Sequence, residues 1–103
     1  MESDSPQIKA IMARYKISLT EKALLVEQFS LELSEDHRKD LQNRHSLFRD
    51  ELHKLAGSSG MYGYHDVCDL CRRAMYCIDN DQITELMIVS SQLHKLLTTH
   101  SEG

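Results

Sequence analysis

The chain has 103 residues, a length that fits one compact domain and excludes a multidomain enzyme. Hydrophobic residues make up 41% and charged residues 27%, with four Gly and one Pro, which excludes disordered, collagen-like and low-complexity classes. Twelve Lys and Arg against 16 Asp and Glu leave a formal charge of −4, a sign that argues against sequence-independent nucleic-acid binding.

In chain order, the polar start from Met1 to Lys9 has no apolar run behind it, so neither a signal nor a transit peptide is expected. No stretch approaches the ~18 apolar residues of a membrane span. Ser5-Pro6 reads as a helix start, followed by Ile8, Ile11, Met12 and Tyr15 at helical spacing, which predicts a short first helix. Ser18 or Thr20 offers a second cap. Behind it Ala23, Leu24, Leu25, Val26, Phe29, Leu31 and Leu33 form a broad apolar face on a helix expected to reach about Gln42.

A third helix is expected from Ser46, with Phe48, Leu52 and Leu55 as its apolar stripe and Tyr62-Gly63-Tyr64 as its end. A fourth starts near His65-Asp66 and buries Val67, Leu70, Cys71, Ala74 and Ile78. Asp79-Asn80-Asp81 turns the chain into a fifth, carrying Ile83, Leu86, Met87, Val89, Leu93, Leu96 and Leu97. No segment alternates with period two. The expected architecture is a single all-α domain over 1–103: an antiparallel up-and-down four-helix bundle over 18–103, with a short additional N-terminal helix over 1–17 as a lid.

Cys68, Cys71 and Cys77 are an odd number of thiols that cannot all pair within one chain, which predicts reduced cysteines and a cytoplasmic protein. The spacing of His65, Cys68 and Cys71 invites a zinc reading. Steps of three residues drift round a helix axis, however, and Cys71 belongs to the core stripe, so buried thiols are expected and no metal site.

The third helix carries an anomaly. At 100° per residue, Phe48, Leu52, Leu55 and Ser59 share one face, whereas His53 points nearly the opposite way with Arg49, Asp50, Ala56, Gly57 and Gly60. The residues three, four and seven positions after His53 are therefore all tiny. Each glycine inside a helix costs about 1 kcal/mol relative to Ala, so two of them on an outward face imply that something approaches closely. Gly57-Ser58-Ser59-Gly60 also suits a loop, but Leu55, Ser59 and Tyr62 keep the core phase across it and favour a continuous helix. An exposed imidazole with a bare collar has room for a tetrahedral phosphoryl group, and its neutral ring offers a lone pair for nucleophilic attack.

The segment His53-Lys54-Leu55-Ala56-Gly57-Ser58-Ser59-Gly60-Met61-Tyr62-Gly63 resembles the phosphoacceptor motif of histidine-phosphotransfer domains, H-x-L-K-G-x-x-x-x-x-G, at four of its five fixed positions. Val67, Leu70 and Cys71 match the hydrophobic and Cys positions that commonly follow. Close resemblance covers about a quarter of the chain. Two departures stand out: the Lys three residues after the His is Ala56, and the Glu or Gln often found near the end of the next helix aligns with Met75.

The resemblance implies a phosphorelay carrier in which His53 takes a phosphoryl group from a receiver-domain phosphoaspartate and passes it to another receiver aspartate. Arg49, Lys54, Ala56, Gly57, Gly60 and Arg72 would surround the group, with Arg73 a further source of charge. The expected partners are response-regulator receivers, a hybrid sensor histidine kinase, or both, and Mg²⁺ belongs to the receiver, so no cofactor is expected on this chain. A monomer, free-standing because Met1 opens a polar leader, completes the expectation.

Two other classes compete. An independent enzyme using His53 beside Asp50, or His94 with His100, lacks cleft volume and a positioned nucleophile, and no nucleotide loop supports kinase activity. His37, His45, His65, His94 and His100 read as surface or packing residues. The second alternative is a helical interaction module that binds a receiver or kinase without phosphotransfer, to which the substitutions at Ala56 and Met75 point.

Overall fold

The computed structural model describes residues 5–34 and 41–103, and within them the chain is helical with no strand. Four helices follow in order: α1 (Pro6–Ser34), α2 (Leu41–Met61), α3 (His65–Asp79) and α4 (Ile83–Glu102). Each packs against its neighbours in the chain and α1 packs broadly against α4, which closes the four into an elongated bundle. Short connections at 62–64 and 80–82 make α2, α3 and α4 successively antiparallel.

Both of these connections use the same device. Tyr64 N–H donates to Ser59 O (2.8 Å) and Gly63 N–H to Gly60 O (3.3 Å). Gln82 N–H likewise donates to Cys77 O (2.9 Å) and Asp81 N–H to Ile78 O (3.3 Å). This paired closure needs a left-handed residue just past the helix, supplied by Gly63 at φ 88° and by Asp81 at φ 54°.

The core follows the expected stripes. Leu19, Phe48, Leu52, Val67, Cys71, Leu86, Val89, Leu93 and Leu97 are buried, as are Cys68 and Cys77, and all three thiols are free. Phe29 stacks on Phe48 with ring centroids 4.7 Å apart, joining α1 to α2. No helix among the described residues is long and apolar enough to cross a membrane.

Three expectations need correction. The helix expected over 1–17 is not separate: from Pro6 onward it is the first part of α1, which runs unbroken through Ser18. Ser18 does not cap a new helix; its hydroxyl donates to the Tyr15 carbonyl three residues back, a bond a helix interior readily accepts. Second, α2 begins at Leu41 rather than Ser46, so Leu41 and Gln42 belong to the helix that carries His53. Third, Leu24 and Leu31, expected in the core face of α1, are exposed, as is Met87 on α4. The expected continuation through 35–40, and His37 with it, lies outside the described residues.

Candidate functional site

His53 lies in the middle of α2, one residue after Leu52 and two before Leu55, both buried. Their burial fixes the rotation of the helix and turns the imidazole to solvent, where it is exposed. No hydrogen bond or ion pair engages it among the described residues. The next turn presents Gly57, exposed, with open space where a side chain would be.

The small collar splits in two. Ala56, expected to face outward, is 8% exposed and belongs to the core, and Gly60 is half-buried. A Cβ at Gly60 would stand 3.6 Å from Cys68 Sγ on α3. The reason is that α2 packs on α3 as well as on the bundle interior, so its inward arc is wider than the Phe48–Leu52–Leu55 stripe alone. Ala56 and Gly60 are small because α3 is close; Gly57 alone leaves the surface bare.

The cations around His53 differ in their freedom. Arg49, one turn before His53, makes a two-pronged bond to Asp79 at the end of α3, Nε to Oδ1 at 2.8 Å and Nη2 to Oδ2 at 3.1 Å. That bond from Arg49 holds the Asp79 carboxyl below its ordinary pKa. Lys54 stands 3.7 Å from Glu51 on its own helix and stays largely exposed. The Arg49–Asp79 and Gly60–Cys68 approaches set the antiparallel register of α2 and α3. In that register Met75 stands level with His53 and Arg72 level with Ala56. Arg72 is exposed and has no ion-pair partner among the described residues, as does not hold for Arg49. Met75 is half-buried against the core.

An aromatic cluster absent from the sequence-level reading fixes the C-terminal end of α2. Tyr15 stacks on Tyr62 at 4.1 Å and its hydroxyl bonds Ser58 Oγ at 2.8 Å. Burial raises the Tyr15 pKa above its ordinary value, although the Ser58 bond works against it. Tyr64 meets the His100 ring edge-on at 4.9 Å, and His100 Nε2 lies 2.9 Å from Asp66 Oδ2. Burial disfavours the Asp66 carboxylate, but bonds from His100 and from Val67 N–H outweigh it and leave the pKa lowered. The signal was present as three tyrosines spaced to meet at one end of the bundle, but only the pairing of α1 with α2 brings Tyr15 to the others.

The zinc reading gains nothing from the geometry. Cys71 is fully buried and burial pushes its thiol pKa up to about 12, whereas His65 is exposed on another side of α3. Among the described residues no three potential ligands gather. Compared with family models, curated proteins and solved structures, the chain gives no significant match.

Proposed function

We propose that the chain is a phosphorelay carrier whose phosphoacceptor is His53. The observation that carries this reading is an exposed, unengaged imidazole in mid-helix beside a glycine with open space over it. The motif resemblance around His53 supports it. In the transfer step the ring nitrogen attacks the phosphorus of a receiver aspartyl phosphate. An N–P bond forms, the P–O bond to the aspartate breaks, and the carboxylate leaves. The reverse step on a second receiver returns the imidazole. The receiver brings its own Mg²⁺, which spreads the phosphoryl charge, and the exposed Arg72, with Lys54 beside Glu51, can assist from this chain. Buried, unpaired thiols agree with a cytoplasmic setting for such a relay.

Three observations favour the second reading, an interaction module without transfer. Arg49 is committed to Asp79, Ala56 replaces the motif's cation, and Met75 stands where a hydrogen-bonding side chain would orient the ring. Incubation with a radiolabelled phosphorylated receiver separates the two. The relay reading expects an acid-labile, alkali-stable label on the wild type and none on His53→Gln at unchanged helix content; a bound but never labelled wild type establishes the module.

A further inference from the structure

Beyond the His53 face, α1 carries a second apolar row directed away from the bundle. Ile17 and Leu24 are 69% and 62% exposed, seven residues apart, and Leu31 continues the row at 60%. At 100° per residue Ile17 and Leu24 lie opposite the inward stripe of Leu19, Ala23 and Val26 and are directed to solvent. Ala10, a further seven residues back and exposed, extends the ridge to about 31 Å at 1.5 Å per residue. A seven-residue step returns to the same side of a helix within about 20°, so the row forms a nearly straight ridge along which a second helix can lie.

The charges along the same helix choose the partner. The first half of α1 holds Lys9, Arg14 and Lys16 with no acid, and the second half holds Glu21, Glu27 and Glu32 against Lys22 alone. A second copy of α1 laid antiparallel places each basic half on the other copy's acidic half; a parallel pair would set like charges together. With Ile17 against Leu24 of the other copy, and the reverse, Lys16 and Glu27 fall on the same edge of the ridge. Their positions then differ by only two residues along the axis, about 3 Å. Two such pairs form, related by the two-fold axis. Glu27, 3.4 Å from His94 Nε2, keeps a half-exposed carboxylate for this contact.

We infer that the exposed Ile17–Leu24 ridge of α1 is a self-association surface, on which two copies pair antiparallel through α1. The contact is one helix wide, so the dimer is weak and dependent on concentration. This departs from the monomer expected from sequence and is independent of phosphotransfer at His53.

Sedimentation of the full chain over a series up to about 1 mM, a range that reaches weak dissociation constants, tests it. The mass should rise from one chain toward two at low salt and fall back at about 1 M salt. Leu24→Glu and Ile17→Glu should each give one chain's mass at every concentration with unchanged circular dichroism. Lys16→Glu should weaken the dimer at least about tenfold, and Lys16→Glu combined with Glu27→Lys should restore it. A wild type that stays at one chain's mass throughout overturns the inference. So does a dimer that survives Leu24→Glu, or one that only Ile11→Glu, exposed on a different side of α1, dissolves.

Discussion

Arg49 and Asp79 tie the middle of α2 to the end of α3, their side chains meeting through two bonds of 2.8 and 3.1 Å far from the Gly63 turn. The contact clamps the register that sets Met75 level with His53, and it withdraws from the site the guanidinium one turn before His53. Both functions have measurable consequences.

Asp79 has its folded-state pKa depressed by Arg49, so its contribution to stability is present above the ordinary Asp value of about 3.9 and is lost as pH falls through the lower folded value. Thermal melts of wild type and Asp79→Asn should therefore differ by a constant amount from neutral pH down to about 5 and converge below about 3.9. A difference that persists in acid would mean that the Asn disturbs the helix end by another route.

With Arg49 held, Arg72 is an exposed guanidinium that stands level with Ala56 and has no ion-pair partner among the described residues. Arg72→Ala should slow phosphoryl acceptance about tenfold, a loss of roughly 1.4 kcal/mol in the transition state, whereas Arg49→Ala should slow it less. Transfer rates from one receiver measure both, and the reverse order would place Arg49 at the phosphoryl group instead.

Gly57 separates stability from function. Its missing side chain faces open space within a regular helix, so Gly57→Ala should stabilise the fold by about 0.5–1 kcal/mol in urea unfolding while slowing transfer. Gly57→Gln should slow it further. Transfer unaffected by either would show that no partner approaches this turn.

The two helix ends should respond in opposite directions. Asp81 adopts φ 54° where glycine is unstrained, so Asp81→Gly should stabilise by about 1 kcal/mol. Gly63→Ala, at φ 88°, should destabilise by a similar amount although its Cβ meets nothing. Equilibrium denaturation of both variants checks the paired closure of the hairpins.

The helix pattern was legible where apolar residues recur on one face, as in Val67–Cys71–Ala74–Ile78 and Leu86–Val89–Leu93–Leu97, because burial and periodicity coincide there. It misled at Ser18, whose cap-forming chemistry served the helix interior, and at Leu24 and Leu31, whose hydrophobicity does not report direction. The orientation of His53 followed from its neighbours Leu52 and Leu55. That of Ala56 and Gly60 did not, because a stripe drawn from one helix omits the second neighbour against which it packs. The commitment of Arg49 depended on a partner 30 residues away and carried no local signal.

A relay carrier of this design holds its phosphoryl group on one side chain, His53. Fragmentation mass spectrometry of the chain, quenched at alkaline pH after mixing with a phosphorylated receiver, reads the modified residue directly. One phosphoryl group is expected, on His53, with no modification of His53→Gln. A phosphoryl group on another of the six histidines, or equal modification of the variant, would contradict it.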